Sequence, residues 1–196
     1  MIINDATALV PLHRFVSADG PPKPRRSGWV AQFDASTTGG GAVLRCGSAI
    51  VSFTYLQWQV EDASALGATP GNSAYQSFWE MVMLLVCLVL WGSDFTTEDL
   101  LVVGDSTSAL QNALDLKGKG IMAAVAREIS WRQARLGWRF VVGHIPAERN
   151  TVPDALSRVF EPRDVPLFPH QALAGARFCE PPRVLDLWKA LAFPRK

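Results

Sequence analysis

Residues 78–91 read FWEMVMLLVCLVLW, and this stretch decides how the rest of the chain can fold. Apolar side chains would lie on nearly every side of such a helix, which is typical of a helix buried against other elements. A membrane span needs about 20 apolar residues, and this run is shorter and contains Glu80. We therefore expect a central helix packed on a β-sheet, beginning at Ser73 with Gln76 as the partner in its N-terminal cap.

Three short β-rich runs precede this helix. They cover 28–36, 41–46 and 48–58 and are separated by glycines, as in an antiparallel meander. A mostly polar connection over 59–72 then leads into the central helix.

The chain after the helix alternates between strands and helices. Residues 100–105 (LLVVGD) and 138–142 (WRFVV) have the composition of buried strands. Helices are expected at 106–116, 121–136 and 152–159. The order β-β-β-α-β-α-α-β-α predicts an α/β fold with a five-stranded mixed sheet, three antiparallel strands followed by two parallel ones, flanked by helices.

The two ends of the chain differ from this core. Residues 1–27 are broken by prolines and basic residues and are interpreted as a lead-in segment. Residues 28–160 form the predicted domain, and 161–196 a proline-rich extension with one short helix at Val184–Leu191. The first residues lack a basic region followed by a long apolar run, so we expect no secretory signal and no membrane partner.

The composition excludes several classes of protein. Of the 196 residues, 48% are hydrophobic and 19% charged, which excludes general disorder. The formal net charge of +1 excludes a polybasic coat or an acidic tail. The cysteines Cys46, Cys87 and Cys179 are far apart and have no metal-ligand spacing, so we expect an intracellular, reducing location, either cytoplasm or nucleus.

Four carboxylates lie where the predicted elements meet. Asp34 is on the first strand, Glu80 in the apolar helix, Asp105 at the end of a strand, and Asp154 at the start of the last helix. A carboxylate in apolar surroundings is costly unless it is paired or binds a metal. Asp34 and Asp105, on neighbouring parallel strands, could lie side by side with Glu80 reaching in from the helix, and a divalent cation would relieve the repulsion of the three.

Each carboxylate also has a local alternative. Asp34 could be a turn residue and Glu80 the partner of a buried arginine. Asp105 and Asp154 could each cap the N-terminus of the helix that follows.

Five segments, taken in order, resemble the ribonuclease H domain of retrotransposon reverse transcriptases, most closely the gypsy-like and DIRS-like elements. They are FDASTTGGGAVL (33–44), FWEMVMLLVCLVLWG (78–92), LVVGDSTSALQNALDLKGKG (101–120), AREISW (126–131) and GHIPAERNTVPDALSR (143–158). The resemblance spans roughly residues 28–160. It implies a ribonuclease H-like fold and a metal-dependent endonuclease that hydrolyses the RNA strand of RNA–DNA hybrids, leaving 5′-phosphate and 3′-hydroxyl ends.

The resemblance also implies site residues. The family's four metal-binding acids fall on Asp34, Glu80, Asp105 and Asp154, which would hold two Mg²⁺ ions, with Mn²⁺ able to substitute. His144, ten residues before Asp154, falls where the family has a mobile histidine that assists product release or proton transfer. Pro153 departs from the family's usual alanine and should shift the start of the helix without removing Asp154.

A further set of residues is expected to contact the substrate. These residues are Gly40, Gly41, Gln111, Asn112, Lys117, Lys119 and Arg149. The glycines would permit close approach to a strand of the hybrid, although a hairpin turn alone would explain them. The amides would read 2′-hydroxyls, and the cations, within a basic stretch over 117–149, would contact phosphates.

Two functions of different classes remain open at this stage. The first is the ribonuclease H activity of a retroelement reverse transcriptase, with the polymerase part of that protein as a partner. The alternative is a non-catalytic ribonuclease H-like module that docks nucleic acid or a protein.

Overall fold

A six-stranded mixed sheet forms the centre of the computed structural model, which describes residues 26–95, 98–115, 120–162 and 168–188. The strands are β1 (Arg26–Ala35), β2 (Gly39–Cys46), β3 (Ala49–Gln57), β4 (Asp99–Gly104), β5 (Phe140–His144) and β6 (Arg177–Phe178). Their order across the sheet is β5-β4-β1-β2-β3-β6. Strands β1 to β3 form an antiparallel meander, β4 is parallel to β1, and β5 is parallel to β4. The expected ribonuclease H-like sheet is confirmed, with β6 as an addition.

Five α-helices flank the sheet in the described part of the chain. They are α1 (Val60–Ala65), α2 (Gln76–Trp91), α3 (Thr107–Asp115), α4 (Ile121–Leu136) and α5 (Thr151–Ser157). Helix α2 lies against β1 and β2, and α5 packs against β1, β2 and β3. The length and composition of Ser73–Asp94 would also suit a membrane span, but 61% of its most apolar window is buried inside the protein, as in a core helix.

The structure corrects three local predictions for the segment between β3 and the start of α2. The connection that was expected to be mostly polar contains helix α1. The helix packs into the core through Ala63, which is 1% exposed. A 3-10 turn begins at Ser73, and the side chain of Asn72, not that of Ser73, accepts its capping hydrogen bond. The side chain of Gln76 donates instead to the backbone oxygen of Ala35 and to Glu80.

Strand β5 lies two residues further along the chain than the predicted 138–142. Trp138 precedes it and is 3% exposed, with its indole ring packed on Gly92. The side chain of Arg139, the residue before β5, donates from its Nε to the Asp99 carboxylate at 2.9 Å. The shift makes His144 the last residue of the strand.

Residues 168–188 of the C-terminal extension pack on the domain. Strand β6 pairs in parallel with β3 and extends the sheet at that edge. Phe168 lies against the rings of Phe53 and Tyr55, and Leu173 is buried in a cluster with Leu156. The described part of the extension therefore covers the outer edge of β3.

The extension continues around the edge to the α2 face of the sheet. The guanidinium of Arg183 binds both carboxylate oxygens of Asp62 on α1. Leu187 is fully buried in the main core, and its backbone oxygen accepts from Arg132 at 2.8 Å. The predicted helix at Val184–Leu191 is a 3-10 helix over Val184–Leu187, and residues 189–196 lie outside the described residues.

We predict that the extension contributes to the stability of the domain. Leu187→Ala should lower the free energy of unfolding by about 2–5 kcal/mol, because it removes a fully buried side chain. Urea unfolding followed by circular dichroism measures the loss. The matched control is Leu136→Ala, at a position 43% exposed, where the change should be about 0.5 kcal/mol or less. Equal effects of the two substitutions would contradict the observed packing of the extension.

Candidate active site

Three carboxylates meet at one edge of the sheet. Asp34 on β1, Glu80 on α2 and Asp105 directly after β4 each offer one oxygen, and these atoms all lie within 4.8 Å of one another. Strands β1 and β4 are parallel neighbours, so their carboxyl ends lie side by side at this edge. Asp34 is 5% exposed and Glu80 3%, whereas Asp105 is half-buried. The structure thus groups three of the four predicted acids.

Glu80 is held against the end of β1 by a local network. Its Oε1 accepts from the backbone nitrogen of Ala35 at 3.4 Å and from the side-chain amide of Gln76 at 3.2 Å. The same Gln76 amide also donates to the backbone oxygen of Ala35. One side chain, a single turn before Glu80 on α2, therefore fixes both the carboxylate and the strand that carries Asp34.

The local alternatives for Asp34 and Glu80 are not observed. Asp34 lies within β1, opposite Gly41, and the turn begins only at Ser36. The hydrogen-bond donors to Glu80 among the described residues are Ala35 and Gln76, not an arginine.

The capping alternatives for Asp105 and Asp154 are not observed either. Ser106 caps α3, because its hydroxyl accepts from the backbone nitrogen of Ala109 at 3.4 Å. Helix α5 begins at Thr151, so Asp154 lies inside the helix and its nitrogen donates to the backbone oxygen of Asn150.

Burial and mutual repulsion raise the pKa values of the two innermost acids. Burial raises the pKa of Asp34 from 3.8 to about 7, opposed by the hydrogen bond from Ser157, while the charges of Asp105 and Asp154 raise it further. Burial also raises the pKa of Glu80 from 4.5 to about 9, and the charges of Asp34 and Asp105 add to this effect. Without a counter-charge, the site is costly to ionise at neutral pH.

The carboxylates suit a hard divalent cation. Glu80 Oε2 is buried and has no hydrogen-bond partner among the described residues. An ionised oxygen in that position needs a ligand, and Mg²⁺ and Mn²⁺ prefer carboxylate oxygens. Asp34, Glu80 and Asp105 are therefore the residues that could hold such an ion.

Asp154 lies outside this group of three. Its Oδ1 accepts from Arg158 Nε at 2.6 Å, one turn further along α5. Its charge still raises the pKa of Asp34. Helix α5 is fixed to β1 by Asn150, which is fully buried and whose amide donates to the backbone oxygen of Phe33 at 2.8 Å.

Ser157 is a site residue that the sequence analysis did not predict. It is fully buried, and its hydroxyl donates to Asp34 Oδ2 at 2.5 Å. The one signal in the sequence is its spacing, since residues three apart on a helix share a face and Ser157 follows Asp154 by three.

His144 lies at the same edge of the sheet. In the register of β4 and β5 it is opposite Gly104, the residue before Asp105. Its side chain is exposed. The structure therefore places the predicted histidine next to the acids, at the end of a strand.

Gly40 and Gly41 allow close packing of helices on the sheet. A Cβ on Gly40 would lie 2.6 Å from Met83 Sδ, on α2. A Cβ on Gly41 would lie 2.7 Å from the backbone oxygen of Pro153, on α5. Both glycines are buried, so they let two helices approach the sheet on opposite faces.

The other predicted substrate contacts have different surroundings. Gln111 is exposed on α3 and donates to Asp115, whereas the amide of Asn112 donates to the backbone oxygen of Ser108. Arg149 is exposed in a 3-10 turn, Ala147–Arg149. Lys117 and Lys119 lie outside the described residues.

Within the described part of the basic stretch, two arginines are engaged in ion pairs. Arg132 is 8% exposed and pairs with Glu128 at 2.6 Å, and Arg139 pairs with Asp99. Arg127 and Arg135 are exposed on α4.

Two solved structures have a fold similar to that of this chain. Ribonuclease H1 from the halophilic archaeon Halobacterium salinarum NRC-1 matches with a TM-score of 0.46 and 20% identity, over 65% of this chain and 92% of that one. LC11 ribonuclease H1, solved in complex with an RNA/DNA hybrid, matches with a TM-score of 0.49 and 14% identity, over the same shares. No family model matches the sequence, and a search of curated proteins finds no significant match. At this distance the likeness carries no functional argument, and the fold assignment rests on the chain's own strand order and directions.

We predict that the metal-free protein loses stability as the pH rises. The folded state raises the pKa of Asp34 to about 7 and that of Glu80 to about 9, so it binds more protons than the unfolded chain above the ordinary carboxyl values of 3.8 and 4.5. The free energy of unfolding should therefore fall from about pH 4 up to about pH 9. Urea unfolding in a chelator, repeated across this range, measures the fall, and added Mg²⁺ should reverse it at the alkaline end.

Glu80→Gln provides the matched test of the cause. The neutral side chain should flatten the upper part of the pH dependence, because the more strongly shifted acid is gone. The exposed acid exchange Glu148→Gln should leave the profile as in the wild type. A metal-free wild type equally stable at about pH 5 and about pH 9 would contradict the account.

Proposed function

We propose that this protein is a metal-dependent endonuclease that hydrolyses the RNA strand of RNA–DNA hybrids. The observation that carries the proposal is the group formed by Asp34, Glu80 and Asp105, two of them buried, with an unpartnered Glu80 oxygen. The group lies at the carboxyl edge of β1 and β4 in a ribonuclease H-like sheet. Acids grouped at this edge could hold divalent cations. Such cations suit phosphodiester hydrolysis, because the reaction needs stabilisation of negative charge and no covalent nucleophile.

The four acids have separate roles in this proposal. Asp34 would contact both cations, Glu80 and Asp105 would complete one site, and Asp154 the other. Two bound divalent cations supply an activated water and stabilise the leaving 3′ oxygen. Burial of Asp34 and Glu80 keeps water away from two of the carboxylates, which strengthens their interaction with positive charge.

Arg158 pairs with Asp154 on helix α5. Its guanidinium contacts Asp154 and also Glu161, at 3.1 Å. The side chain of Arg158 is 41% exposed and that of Asp154 46%, so both can rearrange in solvent. We infer that Asp154 releases Arg158 when substrate binds and then contacts a cation of the active site.

Other residues would serve proton transfer and substrate binding. His144 is exposed beside Asp105 in the sheet register and would assist proton transfer or product release. The exposed cations Arg127, Arg135 and Arg149 would contact phosphates with little sequence preference. The sequence resemblance supports a retroelement origin and a polymerase partner as further parts of the proposal, and the number and spacing of the cysteines support an intracellular location.

A non-catalytic docking module is the second candidate. The observation that favours it is the ion pair between Asp154 and Arg158, which engages the fourth acid. A docking module would bind hybrid without cleaving it and would not need Glu80 to be ionised.

We predict that Asp105→Asn abolishes cleavage while preserving binding of hybrid. The substitution keeps the shape of the side chain but removes one anionic ligand, so the rate should fall by at least about 100-fold. Cleavage of an end-labelled hybrid in Mg²⁺ measures activity, and fluorescence anisotropy with the same hybrid measures binding.

Asp94→Asn is the matched control for this experiment. Asp94 is an exposed acid in the 3-10 turn after α2, away from the edge that carries the three carboxylates, so its exchange should leave both readouts unchanged. Binding of hybrid by a wild type that does not cleave it would favour the docking module. Equal cleavage by Asp105→Asn and the wild type would exclude the metal mechanism.

A further inference from the structure

We infer that Ser157 is a positioning residue, which orients the Asp34 carboxylate for cation binding and couples it to helix α5. The inference deepens the proposed function and rests on it. Its geometric basis is a buried hydroxyl that joins α5 to the strand carrying the central acid.

The hydrogen bond from Ser157 to Asp34 is short and shielded from solvent. The donor and acceptor oxygens are 2.5 Å apart, in the range of charge-assisted bonds between a hydroxyl and a carboxylate. Ser157 is fully buried and Asp34 is 5% exposed. Water therefore does not compete easily for either group, and the carboxylate is held in one orientation.

The hydroxyl has a second acceptor within reach. The backbone oxygen of Asp154 lies 2.9 Å from Ser157 Oγ. A hydroxyl carries a single proton, and an ionised carboxylate is a stronger acceptor than a backbone carbonyl. The proton therefore points to Asp34 whenever that acid is charged, which is its state with a cation bound.

The terminal torsion of an aspartate is otherwise poorly restricted. The bond from Ser157 engages one lone pair of Asp34 Oδ2, and the other lone pairs of the carboxylate remain for metal coordination. Because Ser157 is on the helix that also carries Asp154, the same bond sets the placement of one acid relative to the other.

A second hydroxyl fixes the same helix without contacting Asp34. Ser36, directly after β1, donates to the backbone oxygen of Ser157 at 2.8 Å. It also accepts from the backbone nitrogens of Thr38 and Gly39 in the turn. Ser36→Ala therefore removes an anchor of α5 but leaves the contact with the acid, which makes it a matched control for Ser157→Ala.

The experiment measures cation affinity directly on the folded protein. Calorimetric titration with Mn²⁺, without nucleic acid, compares the wild type with Ser157→Ala and Ser36→Ala. The Mg²⁺ concentration for half-maximal cleavage of hybrid is a second readout, and urea unfolding gives the stability of each variant.

We expect Ser157→Ala to weaken cation affinity by about 10–100-fold, as for other residues that orient a metal ligand. It should raise the half-activating Mg²⁺ concentration in the same direction, while the affinity for hybrid in chelator stays unchanged. Ser36→Ala should lose stability and keep wild-type cation affinity. Ser157→Cys, which fills the buried space with a weaker donor, should lie between the wild type and Ser157→Ala and serves if alanine prevents folding.

Two results would overturn the inference. One is wild-type Mn²⁺ affinity in both Ser157 variants, and the other is an equal loss of affinity in Ser36→Ala. A wild type that binds Mn²⁺ but cleaves no hybrid would contradict the proposed function alone, because the calorimetric comparison still tests Ser157. A wild type that binds no divalent cation would contradict both.

Discussion

Two buried carboxylates at the end of β1 constrain the rest of the structure, with Asp34 bonded to α5 and Glu80 carried by α2. Asp34 and Glu80 are nearly inaccessible to solvent. Burial raises the pKa of Asp34 to about 7 and that of Glu80 to about 9. Such a pair opposes folding at neutral pH unless positive charge neutralises it. The network that holds it, from Gln76 to Ala35 on one side and from Ser157 on the other, joins α2, β1 and α5. The elements needed for the fold are therefore also the elements that assemble the site.

The architecture explains why the candidate site lies at this edge of the sheet. Parallel pairing of β1 with β4 and of β4 with β5 brings three strand ends together, with Asp34, Asp105 and His144 at or next to them. The glycines of β2 let α2 and α5 approach the sheet from opposite faces. The described part of the extension lies at a different edge of the sheet, along β3.

Most of the fold could be predicted from the sequence, because its patterns are local. The apolar run over 78–91, the strand LLVVGD and the glycine-separated meander each carry a clear periodicity or composition. What the sequence could not show depends on long-range contacts. Strand β6 has only two residues and forms through its pairing with β3. Gln76 occupies a position typical of a capping residue, but its side chain donates to the backbone of β1. Among the site residues, the acids can be recognised in the sequence because they are charged residues next to apolar segments. Ser157 is an ordinary helix residue in the sequence, and only its contact with Asp34 in the structure identifies it.

We propose that the grouped carboxylates make this protein a hybrid-specific, metal-dependent nuclease. The most direct measurement is cleavage of an end-labelled RNA–DNA hybrid in Mg²⁺ and in Mn²⁺, beside single-stranded RNA, duplex RNA and duplex DNA of the same sequence. The account predicts cutting of the RNA strand of the hybrid alone, with 5′-phosphate ends and complete inhibition by chelator. Cutting that persists in chelator, or equal cutting of single-stranded RNA, would contradict it.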